Sequence, residues 1–184
     1  MILEQLKDEK KRVTSLPQLP ERALFVGTEE TPNNLYVTVT AWMPKMEHPF
    51  LYAEHAYMVP VPTISYRVKW HAQSKRVVAF QLAITTDEVV TPDSPLYRWP
   101  WSNVYNDGKV CWTQSWKSEL KDVERNGVYA FIGTPNNTDL WGLGRSHNGP
   151  KMSYAEFLAE TEKGINPDWL IPLNKTVAEF HAQA

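Results

Sequence analysis

The sequence is poor in the residues on which disulfide-bonded, metal-binding or nucleotide-binding folds depend. It has one cysteine in 184 residues, which excludes an intramolecular disulfide and a cysteine-rich zinc site. Its five histidines form no HxxxH or HxH pair, so a structural or solvent-exposed histidine is the default interpretation. Residues 27–34 and 141–149 contain glycine but lack the lysine, spacing and strand–helix setting of phosphate-binding loops.

Long apolar runs and strong net charge are also missing. No apolar run approaches the roughly 18 residues of a membrane-spanning helix. The formal net charge of −2 argues against a general nucleic-acid or membrane-surface binder. The first residues, MILEQLKDEKKRV, are charged where a signal peptide needs an apolar stretch, so we expect a cytoplasmic protein. The 42% apolar and 22% charged residues are typical of a globular protein, and the length predicts one domain over residues 1–184.

Tryptophan and proline are the abundant residues, with eight and fourteen copies. Many prolines enforce turns and leave room for few long regular elements. Tryptophan is a large and rigid side chain that is common both in cores and at interfaces. Composition alone leaves these two uses of tryptophan open.

The first half of the sequence predicts one helix followed by strands. Residues 2–13 have apolar side chains at helical spacing, and Pro17 and Pro20 end the predicted helix. This helix is either packed on one side and otherwise solvated, or a docking helix for a partner. Period-two alternation and β-branched residues predict the strands. These strands cover residues 22–28, 35–42, 50–59, 64–70 and 77–84, and the last two form an antiparallel hairpin.

The second half is irregular and then helical. Residues 86–149 have weak periodicity, with a short helix predicted over 116–125 and a brief strand over 128–132. Two helices are predicted after this segment. The order of helix, strands, irregular segment and helices indicates one α+β domain.

The two C-terminal helices have recognisable ends. The segment 153–156, Ser-Tyr-Ala-Glu, is a capping box for a helix that Gly164 closes. A last helix starts at Asn174 or Thr176 and runs toward His181. The inner stripe of the first helix is formed by Tyr154, Phe157, Leu158 and Thr161.

The one cysteine, Cys111, stands in the irregular segment, just after the turn signal at 106–108, Asn-Asp-Gly. A free cysteine is most often a small buried hydrophobe. A cysteine beside a turn is more often exposed than one inside a strand. The residue pattern leaves both interpretations open.

The residues around Cys111 resemble the active-site signature of ubiquitin-conjugating enzymes. In residues 101–112, WSNVYNDGKVCW, Asn103 and Cys111 stand eight apart, and Gly108 and Val110 occupy positions where that family has glycine and an aliphatic residue. The segment resembles most the divergent prokaryotic branch that includes protein B of the PRTRC plasmid systems. The residues that fit this branch are Leu96, Tyr97, Pro100, Trp101, Asn103, Tyr105, Gly108, Val110 and Cys111.

This resemblance implies an antiparallel meander of four or five strands with helices at both ends. It implies that Cys111 carries a ubiquitin-like protein as a thioester and passes it to an amine acceptor in a prokaryotic or phage conjugation system. The implied partners are the ubiquitin-like protein and an adenylating activating enzyme, which would dock on the helix at residues 2–13. No metal, organic cofactor, nucleic acid or membrane is expected to take part.

The resemblance also implies roles for site residues. Asn103 matches the family asparagine that donates a hydrogen bond to the oxyanion or holds the loop in shape. Asp107 and Tyr105 would bias or guide the incoming lysine, with plain turn formation as the alternative interpretation. Trp101 and Trp112, at the two ends of the signature, complete the expected substrate-positioning set.

Two other functions stay open on the sequence alone. A non-catalytic module on the same fold would bind ubiquitin-like proteins or other partners through exposed aromatic residues such as Trp99, Trp101 or Trp112. An unrelated structural or phage interaction protein would bury Cys111 and lack the conjugating-enzyme sheet. The accessibility of Cys111 in the folded chain separates this last interpretation from the others.

Overall fold

A computed structural model describes residues 17–112 and 116–183 of the chain. The helix predicted over residues 2–13 lies outside this part. The described strands are β1 (Ala23–Thr31), β2 (Asn34–Met43), β3 (Met46–Tyr52), β4 (His55–Val61), β5 (Thr63–His71), β6 (Arg76–Thr85), β7 (Pro95–Tyr97) and β8 (Pro172–Thr176). The described α-helices are α1 (Ala130–Ile132), α2 (Tyr154–Thr161) and α3 (Val177–His181). None of the helices in this part of the chain is long and apolar enough to cross a membrane.

Most of the fold is antiparallel sheet. Six strands form one sheet in the order β1-β2-β5-β6-β7-β8, and β3 and β4 form a separate hairpin. The expected count of four or five strands is therefore wrong, and the described helices are few and short. The unforeseen edge strands β7 and β8 are short and begin with Pro95 and Pro172. Such segments lack the alternation by which a strand is recognised in a sequence.

The central strands follow the predicted pattern. β1, β2, β5 and β6 each contain most of a predicted strand. β5 and β6 pair as the predicted hairpin, with Ile64 opposite Ile84 and Val68 opposite Phe80. β5 is buried along nearly its whole length, because the larger apolar core covers one face and α3 contacts the other.

The strand predicted over residues 50–59 is wrong, because the chain reverses within it. The reversal between β3 and β4 takes place at Ala53 and Glu54, whose φ angles are +47° and +67°. Two successive positive φ angles are typical of a tight hairpin turn. Alanine and glutamate are not among the asparagine, aspartate and glycine residues that normally indicate such a turn, so the pattern gave no sign of it.

The chain is helical from Leu120 to Ile132. A 3-10 turn at Leu120–Asp122, a π-helical stretch at Glu124–Tyr129 and α1 follow one another. The predicted helix therefore starts later than expected, and the strand predicted over 128–132 is wrong. A helical face enters the core here because the apolar residues are spaced i, i+3 and i+4. The buried residues with this spacing are Val128, Phe131 and Ile132.

Both C-terminal helices begin at capping boxes. Ser153 and Glu156 exchange the two hydrogen bonds of such a box at the start of α2, as predicted. Thr176 and Glu179 do the same for α3, so the last helix starts at Thr176, the second of the two predicted starting points. The predicted inner stripe of α2 is buried in full, namely Tyr154, Phe157, Leu158 and Thr161.

The sheet separates two apolar clusters. Alternate residues of β6 enter different clusters, because successive side chains of a strand point to opposite faces. Leu82 and Ile84 join the larger cluster, and Ala83 joins the smaller one, which α3 covers with Val177 and Phe180. The end of α3 thereby reaches the part of β6 on which the segment around Cys111 is held.

Candidate active site

The segment around Cys111 is a narrow loop closed by backbone hydrogen bonds. Tyr105 N–H donates to the carbonyl of Lys109 at 2.8 Å, and Gly108 N–H donates to the carbonyl of Tyr105 at 2.9 Å. At the base of the loop, Cys111 N–H donates to the carbonyl of Asn103 at 2.8 Å. Two residues that stand eight apart in the sequence are therefore neighbours in space.

This loop is attached to the edge of β6. Leu82 N–H donates to the carbonyl of Gly108 at 2.8 Å, and Val110 N–H donates to the carbonyl of Phe80 at 3.0 Å. The backbone approaches so closely that a Cβ on Gly108 would lie 2.8 Å from the Leu82 carbonyl oxygen. Gly108 also has a φ of +88°, in the left-handed region. Only glycine satisfies both conditions, which explains why a glycine stands at this position.

Asn103 is held in an unusual backbone conformation at the base of the loop. Its φ is +65°, a region that asparagine tolerates better than most residues. Its N–H donates to the carbonyl of Asp139 at 3.0 Å. Within residues 17–112 and 116–183, no hydrogen bond engages its half-buried side-chain amide. Asn103 is not among the residues that line the pocket around the Cys111 thiol.

The Cys111 thiol is exposed. The interpretation of Cys111 as a small buried hydrophobe is therefore wrong, and so is the burial expected for an unrelated structural protein. The Tyr105 hydroxyl donates to the sulfur at 3.9 Å. This hydrogen bond, followed by the Coulombic effect of Cys111, raises the pKa of Tyr105. An open pocket of about 590 Å³ surrounds the thiol and is lined by Tyr105, Asn106, Asp107, Lys109, Val110, Cys111, Trp112 and Arg145.

Asp107 lies at the tip of the loop and lines the same pocket. Its Oδ1 accepts a hydrogen bond from Lys109 N–H at 2.9 Å, as in an Asx turn. Its carbonyl accepts a further hydrogen bond from the side-chain amide of Gln81 at 3.2 Å. Turn formation is thus one function of this residue, and its exposed carboxylate is also a negative charge in the pocket of the thiol.

The two tryptophans of the signature differ in exposure. Trp101 is 0% exposed, and its Nε1 donates to Thr161 Oγ1 at 3.4 Å. A side chain without exposed surface cannot touch a substrate, so the expected direct positioning role of Trp101 is replaced by packing behind the loop. Trp99 is likewise buried, which removes it from the exposed aromatics expected for a binding module. Trp112 is half-buried and lines the pocket.

Arg145 is a site residue that sequence reasoning missed. It reaches the pocket from the loop at residues 141–149, in which Gly142 and Gly144 have positive φ angles. Arg98 Nη1 donates to the carbonyl of Arg145 at 3.1 Å and ties this loop to the segment that follows β7. The glycines were visible in the sequence, but nothing there indicated that their loop would face Cys111.

His147 lies at the base of that loop, with 1% of its surface exposed. Its ring stacks on Trp141, with ring centroids 5.0 Å apart, and lies tilted against Phe157, with ring centroids 4.6 Å apart. Its Nδ1 accepts a hydrogen bond from Gly149 N–H at 3.1 Å, and burial lowers its pKa. This histidine is structural. In the part of the chain that the structure describes, no three His, Cys, Asp or Glu side chains are grouped as a metal site requires.

Comparison with protein families decides the class of this chain. The model of prokaryotic E2 family D matches residues 8–131, which is more than half of the sequence. The chain belongs to prokaryotic E2 family D. E2 is the designation of ubiquitin-conjugating enzymes, so the resemblance seen around Cys111 is confirmed at the level of a prokaryotic E2-like family. Searches of curated proteins and of solved structures found no match.

The matched region of this E2 family D protein contains β1 to β7, the whole Cys111 loop and the first two residues of α1. α2, β8 and α3 lie beyond the matched residues. These elements nevertheless pack against the matched region. β8 pairs with β7, and Tyr154, Phe157 and Leu158 of α2 lie in the larger apolar cluster. The E2-like family suggests a role of the ubiquitin-conjugation type.

Proposed function

We propose that this E2 family D protein carries a ubiquitin-like protein as a thioester on Cys111 and transfers it to an amine acceptor. The observation that carries the proposal is the pairing of an exposed thiol with Asn103 at the base of one loop, where Cys111 N–H donates to the Asn103 carbonyl at 2.8 Å. A thiolate is both a good nucleophile toward an activated acyl group and a good leaving group.

The proposed reaction consists of two acyl transfers. In the first, the Cys111 thiolate attacks the acyl carbon of an activated thioester of the ubiquitin-like protein. A C–S bond forms to Cys111, the donor's C–S bond breaks, and the departing thiolate takes the proton that Cys111 gave up. In the second, the acceptor lysine first loses its ammonium proton to solvent. Its neutral amine then attacks the same carbon, a C–N bond forms, and the C–S bond to Cys111 breaks. The amine proton passes through solvent to the Cys111 sulfur.

Asn103 and Asp107 have separate roles in the proposed transfer. The Asn103 amide donates to the oxyanion that forms when the amine attacks. The Asp107 carboxylate attracts the cationic acceptor lysine into the pocket, while its Oδ1 also braces the turn by accepting from Lys109 N–H. Trp112 offers a half-buried aromatic surface beside the thiol for either substrate.

Tyr105 stands next to the reacting sulfur in this scheme. Its hydroxyl lies 3.9 Å from Sγ of Cys111 and 44% of the residue is exposed, so an incoming lysine can pass along the ring. The same hydroxyl can donate to the sulfur as the C–S bond breaks. Trp101, which is buried, supports the loop by packing and makes no contact with substrate.

The partners and setting are part of the same proposal. They are a ubiquitin-like protein and an adenylating activating enzyme in the cytoplasm of a prokaryotic or phage conjugation system, with residues 2–13 as the docking segment and no metal or organic cofactor. The similarity to protein B of the PRTRC systems rests on the residues between Leu96 and Cys111 that fit that branch. We also propose one domain over residues 1–184, since one apolar cluster extends from Val37 to Leu170.

The test uses a chemically activated peptide and needs no cellular partner. The protein is treated with an excess of the acetyl-Gly-Gly thioester of mercaptoethanesulfonate, and the acyl adduct is followed by intact mass. Cys111 should acquire one acyl group and Cys111→Ala none. The acylated protein is then separated and exposed to lysine, beside the same peptide on N-acetylcysteine as the reference thioester.

We expect lysine to discharge the Cys111 thioester at least about 100-fold faster than the reference thioester, the effect of one well-placed oxyanion donor. A rate equal to that of the reference thioester would show that the loop does not catalyse transfer. The non-catalytic binding module would then be the better interpretation, with Trp112 as its exposed aromatic contact.

A further inference from the structure

A chain of side-chain hydrogen bonds leads from the end of α3 to the Cys111 loop. It begins at Arg67 on β5, which is 9% exposed. The guanidinium donates from Nε to the carbonyl of His181 at 3.1 Å and from Nη2 to the carbonyl of Gln183 at 2.6 Å. Its Nη1 donates to Oε1 of Gln81 on β6 at 2.8 Å. Arg67 therefore binds the carbonyl of the last residue of α3, a carbonyl two residues beyond it, and a side chain of the neighbouring strand.

Gln81 continues this chain to the tip of the loop. Its Nε2 donates to the carbonyl of Asp107 at 3.2 Å. The direction of the amide is determined by its neighbours, because a guanidinium only donates and a carbonyl only accepts. Arg67 thus holds the Gln81 oxygen on its own side and leaves the amide nitrogen facing Asp107.

Gln81 is the hydrogen-bond partner of the Asp107 carbonyl. The backbone bonds to β6 engage the carbonyl of Gly108 and the N–H of Val110, which leaves the Asp107 carbonyl outside the ladder. α3 also supports the turn directly, since Phe180 Cε2 lies 3.3 Å from the position of a Cβ on Gly108. The peptide that joins Asp107 to Gly108 is therefore held on both sides, by the Tyr105 carbonyl at its N–H and by Gln81 at its carbonyl.

We propose that Arg67 and Gln81 are positioning residues that hold the Asp107 carboxylate in its place beside Cys111 for recognition of a cationic amine. Neither side chain lines the pocket, so both act through the turn. This inference rests on the proposed function. The inference goes beyond the proposed function because it gives the end of α3 a part in selecting the acceptor. α3 lies outside the matched family region.

The variant that isolates the second hydrogen bond is Gln81→Glu. A glutamate keeps an oxygen acceptor for Arg67 but replaces the donor to Asp107 with an oxygen that repels the carbonyl. Gln73→Glu is the matched control, because Gln73 is an exposed glutamine between β5 and β6 whose Oε1 accepts from Leu35 N–H and can be replaced by a carboxylate oxygen. Arg67→Lys is the second variant, since it retains the positive charge but loses the planar guanidinium whose three nitrogens donate to three acceptors.

The measurement compares two amines on the acetyl-Gly-Gly thioester of Cys111. Lysine is cationic and needs the carboxylate, whereas hydroxylamine is uncharged near neutral pH and does not. In Gln81→Glu and Arg67→Lys we expect discharge by lysine to fall about fivefold, the net effect of one hydrogen bond. Discharge by hydroxylamine and acylation of Cys111 should stay unchanged, as should all three reactions in Gln73→Glu. Asp107→Asn should show the same selective loss.

Amide hydrogen exchange measures how firmly the turn is held, independently of the acyl-transfer rates. The N–H groups of Gly108 and Lys109 both donate within the turn, and both should exchange about fivefold faster in Gln81→Glu. The positioning proposal is wrong if these amides and the preference for lysine over hydroxylamine are unaffected. If the wild-type protein discharges no faster than the reference thioester, the proposed function fails, and the exchange data alone decide whether Gln81 holds the turn.

Discussion

The hydroxyl of Tyr105 donates a hydrogen bond to the sulfur of Cys111 across 3.9 Å. The pKa of Tyr105 is raised, foremost by this hydrogen bond and then by the Coulombic effect of Cys111. The phenol therefore keeps its proton over the neutral pH range. A protonated donor beside the sulfur stabilises a thiolate that leaves when the thioester is broken.

Tyr105→Phe is expected to slow discharge of the acylated protein about fivefold, the net effect of one hydrogen bond. The loss should be equal for lysine and hydroxylamine, because both reactions expel the same thiolate. Tyr129→Phe is the control, since Tyr129 is exposed to a similar extent, 40% against 44% for Tyr105. A loss confined to lysine would instead make Tyr105 a guide for the incoming amine.

Asn103→Gly separates the two roles open to the asparagine. Glycine adopts the φ of +65° without strain and removes only the side-chain amide. If the amide donates to the oxyanion, the discharge rate should fall by about 100-fold or more while acylation of Cys111 is retained. An unchanged discharge rate would mean that Asn103 serves the shape of the loop alone. The rates are measured by intact mass on the acetyl-Gly-Gly thioester.

Gly108→Ala is expected to destabilise the protein more than Gly144→Ala. Both residues have positive φ, +88° and +75°, so both substitutions carry the cost of a left-handed alanine, about 1 kcal/mol. Only at Gly108 does the new Cβ meet a backbone carbonyl, that of Leu82 at 2.8 Å, whereas nothing lies within 4 Å at Gly144. Urea unfolding of the two variants gives the comparison. Equal losses of stability would contradict the close approach of the loop to β6.

The stability of the protein should decline as the pH falls below 6.5. Burial lowers the pKa of His147 from its ordinary value of 6.5, so below that pH the unfolded chain binds a proton that the folded chain resists. The contribution is complete above pH 6.5 and is lost as the pH falls toward the lowered value. For one proton the slope is at most about 1.4 kcal/mol per pH unit.

His147→Gln should reduce this acid-side slope, because glutamine retains an acceptor for Gly149 N–H and does not titrate. Part of the slope should remain, since burial and then Arg67 lower the pKa of His181 as well. The free energy of unfolding in urea is measured at pH values on both sides of 6.5. A slope identical in the variant and the wild type would exclude His147 as its source.

Local pattern was enough to predict the parts of the fold that depend on near neighbours. The β5–β6 hairpin follows from alternation of apolar residues such as Ile64 and Val68, and the start of α2 follows from the capping pair Ser153 and Glu156. Elements without a local signal were missed or misread. The turn at Ala53 carries no turn residue, and α1 has the same apolar residues that a short strand would have.

The sequence by itself determined the chemistry available at the candidate site. A single cysteine, the asparagine eight residues before it and the glycine between them are set by the chain, as is the tight loop that Gly108 permits. Spacing along the chain specifies which atoms a short loop brings together, since few residues leave few conformations.

Only the tertiary structure decided what surrounds that loop. It exposed Cys111, buried Trp101, brought Arg145 into the pocket and joined Arg67 through Gln81 to Asp107. These relationships join residues distant in sequence. They arise from the pairing of β5 with β6 and the packing of α3 on the sheet, where burial of apolar surface and satisfaction of buried donors select one arrangement that no local pattern specifies.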